Sequence, residues 1–234
     1  NSIIEQPTNF TTYVPRQTEE SIRFIREAHA AGKPFFLLYA TVMPHVPLFT
    51  SGEFIGQSKR GLYGDVIQEL DASIGKILDV VAELGLDQDT MSLFMSDNGP
   101  FPVMRQHGGS AGLFSGGKGT TWEGGIRSPA VIRWPSMIAP GTIMEGITTA
   151  WDVFTTFLSV AGAEIPSDRP IDGIDMSPAL FGDQQKIRDC QNMYSQEVLM
   201  ATRCDGYKVH WFTKDGFGVP NKQDPPLVFD VDAD

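Results

Sequence analysis

Residues 65–99 read DVIQELDASIGKILDVVAELGLDQDTMSLFMSDNG. Ile67, Leu70, Ile74, Ile77, Leu78, Val81 and Leu84 recur at helical spacing, which predicts an amphipathic helix over about 65–84 that Gly85 terminates. Residues 91–95 then carry the short apolar run of a strand, and Ser96, Asp97, Asn98 and Gly99 fall at its carboxyl end. Upstream, residues 35–40, FFLLYA, are continuously apolar, which predicts a strand buried on both faces of a parallel sheet. Pro44 and Pro47 end that run and stiffen the loop that carries His45. Strand, helix, strand in this order is a βαβ unit, and a crossover of this length favours parallel pairing.

The pattern extends in both directions. Thr18 with Glu19 and Glu20 reads as the start of a helix that buries Ile22, Ile25 and Ala28 and stops at Gly32. Residues 108–125, GGSAGLFSGGKGTTWEGG, form a glycine-rich loop suited to close approach of a ligand or another backbone. A further strand is expected over 130–134 and a helix over 152–161. Beyond Gly162 the prolines at 166, 170 and 178 mark a linker-like stretch. Residues 198–203 and 207–212 then flank Asp205 and Gly206 as a hairpin, and 227–231 adds a strand. The expected organisation is an α/β domain over 1–165 and a small antiparallel subdomain over 166–234.

Eighteen Lys and Arg stand against 29 Asp and Glu, a formal net charge of −11, so the chain lacks the basic surface of an electrostatic nucleic-acid binder. No apolar run approaches the ~18 residues of a membrane span. Two cysteines, Cys190 and Cys204, match no zinc spacing and by number leave the redox compartment open. Asn9, Phe10 and Thr11 form an acceptor triplet for N-glycosylation. The chain starts at Asn1 and stops just after a strand-like run, which reads as a piece of something longer.

In open α/β sheets ligands bind beyond the carboxyl ends of strands, where His45 and the Asp97, Asn98 pair fall. Asp97 and Asn98 offer hard oxygen donors suited to calcium or magnesium, although Asp-Asn-Gly is also an ordinary turn sequence. Lys118 within the glycine-rich loop could meet an oxyanion flanked by backbone N–H groups, and His45 could pass a proton to a leaving group. Taken singly, each also reads as a solvated or structural residue.

Taken together they carry more. SDNG (96–99), GGK (116–118) with TTWEGGIRSPA (120–130), and HVP (45–47) resemble the sulfatase family, closest to its group of arylsulfatase A, steryl-sulfatase and N-acetylgalactosamine-6-sulfatase. The resemblance extends through RGLYGDVIQELDASIGKIL (60–78), IDGIDMSPAL (171–180) and DPPLVFD (224–230). It implies an alkaline-phosphatase-like, mostly parallel sheet flanked by helices, followed by a smaller antiparallel domain. It further implies that Asp97 and Asn98 bind Ca2+, that Lys118 holds the sulfate, and that His45 contacts the sulfate and assists departure of the alcohol. The substrate would be a sulfated small molecule, lipid or glycan, and the compartment lysosomal or secreted, with the endoplasmic reticulum lumen also represented.

The family's nucleophile is a formylglycine made from the Cys of a C-x-P-S-R motif. Here Cys190 is followed by Gln191, Asn192 and Met193, and Cys204 by Asp205, Gly206 and Tyr207, so neither is its precursor. The expectation is therefore a C-terminal portion of a sulfatase that is inactive alone, with its formylglycine upstream. His107 and Arg127 receive no role. Two other readings compete: a phosphatase or phosphodiesterase of the same superfamily, which would want zinc and more His ligands, and a non-catalytic binder of sulfated glycans.

Overall fold

The computed structural model describes residues 3, 5–184 and 186–233. It contains two compact units, Asn1–Thr90 with Phe101–Gly109, and Met91–Pro100 with Ser110–Asp234.

The first unit is built on two helices, α1 (Tyr13–Ala30) and α2 (Gly61–Glu83). The start of α1 lies ahead of Thr18. Asn9 caps a 3-10 turn over Phe10–Thr12 by accepting from the Thr11 N–H at 3.1 Å, and that turn runs into α1. Thr18 sits inside the helix, where its hydroxyl donates to the Val14 carbonyl at 2.8 Å. Ile25 of α1 and Val80 and Val81 of α2 form one buried cluster, with Ile22, Phe35, Leu37, Ile77, Leu84 and Leu86 packed against it. Val14, Met43, Leu48 and Val66 form a second. Each fully buried aliphatic side chain here contributes roughly 1.5–3 kcal/mol.

The buried face of α2 is rotated relative to the apolar stripe read from the sequence. Ile67 is 37% exposed, while Asp65, Val66, Glu69, Leu70 and Ser73 are buried. The two carboxylates on this face collect loop donors. Asp65 accepts from the N–H groups of Gly56 (2.9 Å) and Ser58 (2.7 Å), and Glu69 from the Thr50 hydroxyl (2.8 Å) and the Ser51 N–H (3.2 Å).

Residues 35–40 form no regular element and join no ladder among the described residues, in contrast to the doubly buried strand expected. Phe35, Leu37 and Tyr39 are partly buried, Phe35 and Leu37 on the helix pair, whereas Phe36 and Leu38 are 67% and 75% exposed. A continuous apolar run does not by itself reveal that exposure alternates along it.

The second unit holds both sheets. Strand β1 (Ser92–Met95) pairs with β2 (Ala130–Arg133), Met95 opposite Ala130. The pairing is antiparallel, so the parallel βαβ ladder expected over 35–95 is absent from the described residues. Residues 96–129 fold back as one excursion and return the chain beside the strand it left; they include a short helix, α3 (Glu123–Ile126). Helices α4 (Asp152–Val160) and α5 (Ser177–Leu180) follow. Asp152 is fully buried and receives both Arg188 nitrogens (2.7 and 2.8 Å) and the Ile174 N–H (2.8 Å). Burial alone would raise its pKa, but Arg188, Ile174 and Thr149 outweigh burial and hold the carboxyl below its ordinary value.

The chain ends in a four-stranded antiparallel meander of β3 (Cys190–Ser195), β4 (Val198–Cys204), β5 (Tyr207–Thr213) and β6 (Asn221–Asp230). The hairpin expected at Asp205 and Gly206 joins β4 to β5, with Asp205 at φ 48°. Cys190 and Cys204 are direct cross-strand partners and form a disulfide.

Candidate functional site

The carboxyl end of β1 and the glycine-rich loop meet in the second unit through backbone contacts. The Gly99 N–H donates to the Gly125 carbonyl at 2.9 Å, and the Lys118 N–H donates to the Pro100 carbonyl at 2.7 Å. A β-carbon on Gly99 would stand 1.8 Å from the Gly124 carbonyl oxygen, so only glycine permits this approach. The junction thus sets the Asp97, Asn98 turn and Lys118 in one hydrogen-bonded arrangement, although they are 20 residues apart in the chain.

Within the turn, Ser96 donates from its hydroxyl to the Asn98 carbonyl (2.9 Å) and Asn98 donates from Nδ2 to the Gly99 carbonyl (2.8 Å). Using Nδ2 in this way leaves the Asn98 Oδ1 as an available acceptor. Asp97 is exposed and Lys118 half-buried. Two side-chain oxygens suit part of a calcium shell, which needs 6–8 oxygens. No group of three His, Cys, Asp or Glu side chains among the described residues is arranged to hold a metal ion. Asp97 and Asn98 therefore fit a hard cation as two of its ligands, not as a complete set.

His45 belongs to the first unit, on an exposed stretch between the buried anchors Met43 and Leu48. Its Nδ1 lies 2.7 Å from the Val46 carbonyl oxygen. A carbonyl only accepts, so Nδ1 carries a proton and Nε2 is the nitrogen open to a ligand.

The groups that hold the glycine-rich loop from behind escaped the sequence reading. Glu123, at the start of α3, accepts from Lys208 of β5 at 2.8 Å and from Arg203 of β4 at 3.0 Å. Lys208, only 1% exposed, also donates to the Thr121 carbonyl. Burial lowers the Lys208 pKa, and the Glu123 carboxylate partly offsets that. Trp122 stacks on His210 of β5 with centroids 4.3 Å apart and meets the Phe229 ring of β6 edge-on at 5.5 Å. Arg127 braces the same loop, 3.7 Å from Glu123 and 4.9 Å above the Phe114 ring.

His210 is fully buried and neither ring nitrogen has a hydrogen-bond partner among the described residues. Burial, then the Lys208 charge, pushes its pKa down to about 4; the Phe212 backbone, which approaches without hydrogen-bond geometry, and Glu123 counteract only in part. Lys208 and His210 lie two apart in a strand, hence on one side, and that side faces in.

A cleft of about 650 Å³ in this unit, lined in part by Arg203, contains neither the Asp97, Asn98 pair nor Lys118. Its cations are already neutralised, Lys186 by Asp189 and Asp205, Arg188 by Asp152, and Arg203 by Glu123.

The sulfatase family model matches residues 5–163. The chain belongs to the sulfatase family. This sulfatase is 41% identical to N-acetylgalactosamine-6-sulfatase of Mus musculus over 90% of the chain and 40% of that protein, and 39% identical to arylsulfatase A of Bos taurus over 89% of the chain and 44% of that protein. It thus spans less than half the length of these curated relatives. Among solved structures it is similar to the PsFucS1 sulfatase from Pseudoalteromonas sp., with a TM-score of 0.90 and 30% identity over 99% of the chain and 49% of that protein. The α/β architecture with a C-terminal antiparallel sheet is therefore that of sulfatases.

Proposed function

We propose that this chain is the part of a sulfate ester hydrolase that carries the cationic side of its anion site. The observation that supports this most is the backbone junction holding Lys118 beside the Asn98–Pro100 turn in a member of the sulfatase family. In this reading the Lys118 ammonium binds the sulfuryl oxygens and offsets charge as the ester bond breaks. Asp97 and Asn98 would hold Ca2+ through side-chain oxygens. Calcium, when bound, supplies positive charge toward those same oxygens. His45 presents Nε2 to the departing alcohol oxygen and, when protonated, donates to it.

The nucleophile comes from outside these 234 residues, as a formylglycine. In support, the two cysteines of the chain lack the maturation motif and are joined to each other. On this account the chain in isolation releases no sulfate. Residues 1–165 would belong to the catalytic α/β domain and 166–234 to the small antiparallel one. The disulfide favours an oxidising compartment, lysosomal or secreted. The named activity of the N-acetylgalactosamine-6-sulfatase relatives favours a sulfated glycan as substrate. No helix among the described residues is long and apolar enough to cross a membrane.

The test is turnover of an aryl sulfate against the matching aryl phosphate by the whole protein. Sulfate release that chelation of calcium abolishes supports the reading. Preferential phosphate release points to a phosphatase, and binding of sulfated glycan without turnover to a non-catalytic binder.

A further inference from the structure

We infer that Lys208, acting with Glu123 and Arg203, is the positioning group that fixes the glycine-rich loop, and through it Lys118, against the Asn98–Pro100 turn. The loop has little means of holding itself. Between residues 115 and 125 it carries five glycines, and its side chains build no apolar core of their own. Its fixed points include the two backbone bonds to Gly99 and Pro100 on one side and the C-terminal sheet on the other. From the sheet, a single ammonium reaches two successive parts of the loop. Lys208 donates to the carbonyl of Thr121, three residues after Lys118, and to the carboxylate of Glu123.

The arrangement is expensive unless it does something for the loop. A buried lysine loses its hydration, and one carboxylate serves three cations, Lys208, Arg203 and, at 3.7 Å, Arg127. An apolar side chain at 208 would satisfy the sheet at lower cost but would leave the Thr121 carbonyl and Glu123 without this donor. Trp122, between these two residues, adds its stack on His210, so three consecutive loop residues are each held by β5. Lys208 bonds to the loop at Thr121 and Glu123 rather than to a reacting group, so its effect on chemistry is indirect. The inference rests on the sulfatase reading for its consequence in turnover, but the ordering of the loop stands apart from it.

The test compares the purified wild-type protein with Lys208→Met, Lys208→Arg and the double variant Lys208→Met/Glu123→Gln. Amide hydrogen exchange is followed in residues 116–125 and, as an internal reference, in β3 and β4. In Lys208→Met the loop is expected to exchange at least about tenfold faster, the ratio lost with one charge-assisted hydrogen bond, while β3 and β4 change little. Lys208→Arg, which keeps a cation toward Glu123, restores most of the protection. Unchanged loop exchange overturns the inference, as does equal acceleration in loop and sheet, which marks a general loss of stability. The double variant guards against misfolding of the single one, since it removes both members of the Lys208–Glu123 pair and leaves Arg203 its contact with Asp232; loop protection at the wild-type level in that variant also overturns the inference.

Where the wild type turns over an aryl sulfate, Lys208→Met lowers kcat/KM, and that loss disappears in a Lys118→Ala background. Additive losses contradict action through Lys118. A whole wild-type protein without sulfatase turnover sinks the functional reading, while the exchange pattern still decides whether Lys208 orders the loop.

Discussion

His210 should make the second unit sensitive to acid in a window that can be calculated. In the unfolded chain its imidazole titrates near 6.5, and in the fold burial and Lys208 bring it down to about 4. Between these values the unfolded state binds a proton that the folded state refuses, so stability falls as pH falls from about 6.5 to about 4 and levels off below. Above about 7 the imidazole is neutral in both states and contributes no dependence. From pH 7 to pH 4 the cost is about 3 kcal/mol. All four tryptophans, at 122, 134, 151 and 211, lie in this unit, so urea unfolding followed by their fluorescence reports on it alone. Carboxylates also titrate in this range, which makes the informative quantity the difference between wild type and His210→Phe. Phenylalanine keeps a ring against Trp122 and Phe229 and has no nitrogens to leave unpartnered. Its pH dependence should be flatter than that of wild type by about 3 kcal/mol over this range. Equal pH dependence in the two proteins would refute the reasoning, whatever their absolute stabilities.

Other expected outcomes follow from single contacts. Gly99→Ala drives a β-carbon into the Gly124 carbonyl, so urea unfolding should show a loss of about 1–3 kcal/mol, the usual range for overpacking. Asp152→Asn breaks a buried pair with Arg188 and should cost about 3–5 kcal/mol, leaving the guanidinium uncompensated. Reduction of Cys190–Cys204, which closes a segment of sequence separation 14, should lower stability by about 3 kcal/mol if chain entropy dominates, read by denaturation with and without reductant.

The elements that the sequence announced were those whose own side chains repeat with the right period. Helix α2, the hairpin at Asp205 and Gly206, and the strand at 91–95 all belong here, because their patterns are local. Residues 35–40 show the limit. Phe36 and Leu38 are as apolar as Phe35 and Leu37, so composition could not reveal that one pair faces out. The direction of the β1 and β2 pairing was equally hidden, since it depends on how residues 96–129 fold back rather than on either strand. Around the candidate site, the turn at 96–99 and the glycine-rich loop were legible because their turn residues and glycines are local signals. Glu123, Arg203 and Lys208 were not, since partners 80 or more residues apart leave no periodic trace. In β5 ordinary patterning would also have turned Tyr207, Val209 and Trp211 inward, yet Lys208 and His210 occupy the buried face.

The account depends above all on Lys118 and the Asp97, Asn98 turn forming the cationic wall of a sulfate ester site. It is tested most directly by release of sulfate from an aryl sulfate by the whole protein, measured for wild type and Lys118→Ala with calcium present. Sulfate release that falls by about a hundredfold or more in Lys118→Ala is the expected result, in line with removal of one preorganised group opposite developing charge. Turnover that is unaffected by losing Lys118, or the absence of any sulfate release by the wild type, would contradict it.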